Sequence, residues 1–215
     1  MKNKKQVNKK TKTLIIVDVQ NDFCNPEGAL YVNGGESVID HIIDYVKVNK
    51  ASINQIIFTR DWHTKKDESF EVNGGTWPVH CVQGTNGAEI DKKLYYALVN
   101  MHIPINIINK GTDPEHEEYG AFEICATFHH LYRNEDPNVN HCFFRNFDGT
   151  SGCRIINEDL VVCGIAGDYC VKETIKNLKK HWKNFNISLL LNGIASIDDG
   201  TVLNEFITEN NLKTV

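Results

Sequence analysis

The stretch Leu160-Val161-Val162-Cys163-Gly164-Ile165-Ala166-Gly167-Asp168-Tyr169-Cys170-Val171 runs from a continuous apolar segment through a glycine-rich turn into a helical pattern. Val171, Ile175, Leu178 and Trp182 form the apolar stripe of that helix. Strand, tight turn and helix in this order are the unit from which parallel sheets are built. The turn puts Cys170 where the free N–H groups and the positive end of a helix favour thiolate over thiol, which makes it the candidate nucleophile. The other six cysteines, Cys24, Cys81, Cys125, Cys142, Cys153 and Cys163, show no C-x-x-C spacing, and a total of seven argues against a closed disulfide framework. They read as small buried hydrophobes of a reduced, cytoplasmic protein.

Working outward, similar apolar runs recur at Thr13 to Val19, Gln55 to Thr59, Ile103 to Ile108 and Ser188 to Leu191. Continuous β-branched runs mark strands covered on both faces. Helical periodicity fills the intervals: Val38, Ile42 and Val46 with Ser37 as candidate cap, a weaker helix over Glu89 to Leu98, and Leu203, Phe206 and Ile207 in the last one. The alternation predicts an α/β three-layer sandwich, a central parallel β-sheet flanked by helices. Phe122 to Tyr132 reads as a further helix and Asn134 to Asn138 as a loop. Cys125 and His129 on that helix have the i, i+4 spacing of a zinc pair, but two ligands without visible partners read as ordinary helix residues.

At 215 residues without a long Pro/Gly/Ser linker, the chain reads as one domain over 13–215 behind a flexible basic tail over 1–12, which holds Lys2, Lys4, Lys5, Lys9, Lys10 and Lys12. A net charge of −5 carries no nucleic-acid signature. Asp18 and Gln20 interrupt Leu14-Ile15-Ile16-Val17 too early for a signal peptide, and no segment is long enough to span a bilayer. The oligomeric state stays open, a homo-oligomer included.

In open parallel sheets, reactive groups gather beyond the carboxyl ends of the strands. Asp18 closes the first strand, Lys110 follows the third and Cys170 the fourth, so three residues far apart in sequence are expected to meet. A carboxylate that takes the thiol proton, an ammonium that stabilises negative charge and a cysteine suit amide hydrolysis. Asp61 and His63, two apart, project to the same side of an extended backbone, and His80 offers a third ligand to a metal with open positions. Loop histidines are more often simply solvated.

Together these segments resemble a family, the nicotinamidases of the isochorismatase-like cysteine hydrolase superfamily. The resemblance rests on Asp18-Val19-Gln20-Asn21-Asp22-Phe23, Asp61-Trp62-His63, Trp77-Pro78-Val79-His80-Cys81-Val82-Gln83-Gly84-Thr85, Lys110-Gly111-Thr112-Asp113 and Gly164 to Val171. It implies an isochorismatase-like fold and a catalytic triad of Asp18, Lys110 and Cys170. It also implies an oxyanion hole from the N–H groups of Ala166 and Cys170, with a cis peptide between Ile165 and Ala166. Phe23 and Trp77 would flank a pyridine ring, and Asp61, His63 and His80 would hold one divalent transition metal ion, zinc first, with iron(II) or manganese(II) as alternatives. The implied reaction is hydrolysis of nicotinamide to nicotinate and ammonia through a cysteine thioester, in NAD salvage.

Two features depart from the family pattern. Gly167 stands where the family often has Thr, which implies a more flexible turn, and a fourth metal ligand is not evident, with Ser69 through water and then Glu71 as candidates. Two other readings compete: a related hydrolase acting on another carboxamide or a ureido substrate, and a non-catalytic ligand-binding member.

Overall fold

The computed structural model describes residues 11–123, 142–145 and 152–215. The proposed helix beyond Glu123, the Cys125–His129 pair, the Asn134 to Asn138 loop and all but the last two residues of the basic tail lie outside the described residues. Lys12 is already in the first strand, one residue earlier than the sequence reading placed it.

Among the described residues six strands form one sheet: β1 (Lys12–Val17), β2 (Ile53–Asp61), β3 (Ile105–Lys110), β6 (Asp159–Ile165), β7 (Asn186–Ala195) and β8 (Lys213–Thr214). Their order is β3-β2-β1-β6-β7-β8, and each neighbouring pair is parallel. A separate antiparallel hairpin pairs β4 (Cys142–Arg145) with β5 (Gly152–Ile155). Helices α2 (Gly35–Asn49) and α3 (Lys92–Val99) cover one face of the sheet, and α4 (Lys172–His181) and α5 (Thr201–Glu209) the other. A single short turn, α1 (Asn21–Cys24), follows β1. No helix among the described residues is long and apolar enough to cross a membrane.

Side-chain alternation along the strands explains the layers. Leu14, Ile16, Ile56, Phe58, Val161 and Cys163 pack with Val38, Ile42 and Val46 of α2, whereas Ile15, Val17, Ile57 and Val162 pack with Ile175 and Leu178 of α4. Both sets are apolar, so the strands read as unbroken hydrophobic runs. Ser37 is not the cap of α2: the preceding loop turns at Gly34 with φ 80°, one residue before the helix begins. The α3 start is set by Asp91, whose carboxylate accepts the Leu94 N–H at 2.9 Å.

Candidate active site

Sheet register brings the site together. Val17 lies opposite both Thr59 and Gly164, and Asp61 lies opposite Lys110, so the residues that end β1, β2, β3 and β6 share one edge. The order reverses at β1, whose neighbours run to β2 on one side and β6 on the other, and there the crevice of an open parallel sheet opens. Gly164, at φ 120°, lets β6 pass the Val17 backbone; a Cβ would overlap the Val17 carbonyl oxygen. Beyond it lies a cis peptide between Ile165 and Ala166, and then a π-helical turn, Gly167–Val171, that carries Cys170 into α4.

Asp18 and Lys110 are fully buried, and Cys170 nearly so. Asp18 sits at φ 49°, a left-handed conformation that costs a non-glycine residue of order 1 kcal/mol and is a mark of functional sites. It is held there from β2: the Asp18 N–H donates to the Thr59 carbonyl at 3.2 Å, and the Thr59 hydroxyl donates to Oδ1 at 2.7 Å. Oδ2 lies 2.8 Å from Lys110 Nζ. The ammonium also donates to Asp61 Oδ1 and to Cys170 Sγ, the latter at 3.6 Å.

Burial pushes the Asp18 carboxyl up to about 6 against the opposing pull of Lys110. Burial works against the Lys110 charge, but Asp18, Asp61 and Cys170 outweigh it and hold the ammonium well above its ordinary range. Burial pushes the Cys170 thiol well above its ordinary value, with Lys110 pulling the other way. The helix end therefore does not by itself make a thiolate, contrary to the expectation from the strand–turn–helix pattern. Desolvation dominates, and the resting group is a thiol beside a carboxylate of raised proton affinity, an arrangement suited to proton transfer from sulfur to oxygen.

A second cluster adjoins the first. Donor atoms of Asp61, His63 and His80, all buried, lie within 4.8 Å of one another. The outer ring nitrogens are engaged: His63 Nδ1 is 2.8 Å from Asp67 Oδ2, and His80 Nδ1 is 2.7 Å from the Pro78 carbonyl. Both partners only accept, so each Nδ1 carries a proton and each Nε2 is turned toward Asp61 Oδ2, at 3.8 and 4.0 Å; His63 Nε2 offers its lone pair once a metal ion displaces its own proton. Histidines oriented through Nδ1–H with Nε2 free are the signature of imidazole metal ligands, and one carboxylate with two imidazoles fits a divalent transition ion. Burial disfavours charge on His63, yet Asp61 and Asp67 raise its pKa to about 10: the spot favours positive charge, whether a proton or a metal ion.

Cys170 of the first cluster and all three donors of the second line one pocket of about 430 Å³, solvent mouth included, together with Phe23, Trp77 and Ala166. Phe23 packs 5.4 Å from the His80 ring, and Trp77 stands edge-on to Tyr169 at 5.2 Å while its Nε1–H donates to the Tyr119 hydroxyl at 3.0 Å. The pocket thus has aromatic walls, a thiol and a carboxylate–imidazole set at a single opening.

An isochorismatase domain model matches residues 12–104. The nicotinamidase of Saccharomyces cerevisiae is 30% identical over 90% of this chain and 93% of its own length. The chain belongs to the nicotinamidase family of the isochorismatase-like superfamily. Among solved structures, a pyrazinamidase of Pyrococcus horikoshii in complex with zinc superposes with a TM-score of 0.67 at 30% identity, covering 95% of this chain and 98% of that one. A structure from L. infantum in complex with nicotinate gives 0.72 at 27% identity, covering 97% and 94%.

In this nicotinamidase-family chain Gly167 is buried, and a Cβ there would come within 3.0 Å of the side chains of Ser196, Ile194 and Leu203, which would have to shift to admit it. Ser69 is set back from the donor cluster: its hydroxyl and N–H both donate to Asp67 Oδ1, at 2.6 and 3.0 Å, and so brace His63 through Asp67. Glu71 is exposed. Sequence reasoning missed Asp67, whose four-residue spacing from His63 was the available signal, and Gln20. The Gln20 amide clamps Asp61 on both sides, accepting its N–H at 2.7 Å and donating to its carbonyl at 2.8 Å.

Proposed function

We propose that the chain is a nicotinamidase, hydrolysing nicotinamide to nicotinate and ammonia by way of a thioester on Cys170, and that residues 13–215 are the domain that does so. The observation that carries this reading is the buried Asp18–Lys110–Cys170 cluster, whose Cys170 lines the same aromatic pocket as Asp61, His63 and His80. Asp18 takes the thiol proton, and sulfur attacks the carboxamide carbon between the walls formed by Phe23 and Trp77. The N–H groups of Ala166 and Cys170 receive the oxyanion, and Lys110 stabilises the negative charge that passes between sulfur and carboxylate. Protonated Asp18 returns its proton to the amine, the C–N bond breaks and ammonia leaves. Asp18 then removes a proton from water, which attacks the thioester and releases nicotinate with the thiol restored.

Asp61, His63 and His80 would hold a divalent transition metal ion, zinc in the first instance and iron(II) or manganese(II) as alternatives. Such an ion would supply a Lewis acid for the pyridine nitrogen. This donor set favours nicotinamide over a ureido or open-chain amide, which offers no ring nitrogen. The reading places the protein in NAD salvage, in a reducing cytoplasm where its thiols stay free. The test is ammonia release from nicotinamide by zinc-loaded protein. Cys170→Ala should fold and release none, while Cys163→Ala stays active; turnover by Cys170→Ala comparable to the parent would eliminate the thioester route.

A further inference from the structure

We infer that Glu117 and Glu118, on the wall of the pocket, set its selectivity for a neutral carboxamide over the carboxylate that hydrolysis produces, and thereby drive product out. The inference rests on the nicotinamide reading and deepens it. Both residues line the pocket beside Cys170, Asp61 and His63, yet neither belongs to the Asp61–His63–His80 donor cluster. Glu118 is fixed in place: Oε2 accepts the Gly111 N–H at 2.9 Å, so the carboxyl is tied to the residue that follows Lys110 and does not swing to solvent. Gly111 is itself locked, at φ 61° and with a Cβ position only 2.5 Å from His63 Cε1.

Charge balance gives the pair its consequence. A divalent ion would bring two positive charges and the Lys110 ammonium brings a third, against the three negative charges of Asp18, Asp61 and Asp67 behind His63. Such a floor is close to neutral and sets no penalty on an anionic product. Two further carboxylates make the surroundings of the pocket net negative. In a pocket with low-dielectric walls this penalty falls on nicotinate and spares nicotinamide, which carries no net charge. Burial raises the carboxyls of both Glu117 and Glu118, the latter to about 7, so the pair acts in full above neutral pH.

The experiment measures binding of nicotinate and of nicotinamide to the zinc-loaded full chain carrying Cys170→Ala, by calorimetry at about pH 8.5, where both carboxyls are ionised. Glu117→Gln with Glu118→Gln removes the charges, while the amide oxygen that Glu118→Gln leaves in place can still accept the Gly111 N–H. The expected result is a Kd for nicotinate lowered about tenfold with that for nicotinamide changed by less than about twofold. Glu117→Gln alone, at a partly exposed position that leaves the Gly111 contact intact, should lower it about threefold and decides the matter if the double variant does not fold. An unchanged nicotinate affinity, or equal changes for both ligands, overturns the inference and leaves the substrate reading standing. Failure of nicotinamide to bind the parent protein sinks the substrate reading and this inference with it.

Discussion

Asp18 combines three features that rarely coincide in one carboxylate: complete burial, a left-handed backbone and a proton affinity raised toward neutrality. Burial and the nearby Asp61 charge work against its ionised form, and Lys110 restores enough of it for the group to act as a base. Asp18→Asn keeps the size and the Thr59 contact but removes the proton acceptor. The expected outcome is a loss in kcat of about 100-fold or more, with nicotinamide binding retained through the aromatic walls. Steady-state kinetics decides it: an unchanged kcat with only KM raised would make Asp18 a positioning residue and leave the triad without its base. The sign of the pH dependence follows from the same shift. A base must be ionised to work, so kcat/KM should fall as pH drops through an apparent value near 6, which belongs to the coupled Asp18–Lys110–Cys170 unit and not to one side chain.

The end of β2 and the loop after it form the element that carries the candidate metal donors, and its outer support is Asp67. Asp67→Asn keeps an oxygen near His63 but lets the amide turn a donor toward Nδ1, which loosens the tautomer that leaves Nε2 free. Loss of such a partner weakens metal affinity roughly 10- to 100-fold, which competition with a chelating dye would measure; an affinity equal to that of the parent would show that Asp67 only supports the loop. Asp67 also shows where sequence reading stops. The strands were legible because parallel strands buried on both faces leave unbroken apolar runs, and Asp18, Lys110 and Cys170 because strand ends are where such sheets concentrate chemistry. The two-residue strand β8 and the hairpin β4–β5 leave no comparable pattern, and the Gln20 clamp on Asp61 and the Glu118 contact with Gly111 join residues by tertiary packing alone. The thiol's raised proton affinity was missed for the same reason: a helix end is visible in sequence, but burial is a property of the assembled fold.

At the scale of the molecule, the donor cluster joins β2 to the loop carrying His80, while Lys110 ties β3 to β1 through Asp18 and to β2 through Asp61. An ion bound there stabilises the native state by linkage, because the three donors are not assembled in the unfolded chain. The cluster is nevertheless not the core. The two apolar layers around the sheet are complete without it, with Ile15, Ile16, Ile57 and Phe58 fully buried on either face. Chelation should therefore abolish or greatly reduce activity and lower the melting temperature without unfolding the domain. At a free ion concentration about 100 times Kd the stabilisation is about 2.7 kcal/mol, which for a chain of this size corresponds to roughly 5 to 10 °C. Thermal melts followed by circular dichroism, with and without chelator and after adding zinc back, measure both parts. Unfolding at room temperature on chelation would make the ion structural, and a melting temperature indifferent to zinc would mean that Asp61, His63 and His80 bind no ion in solution.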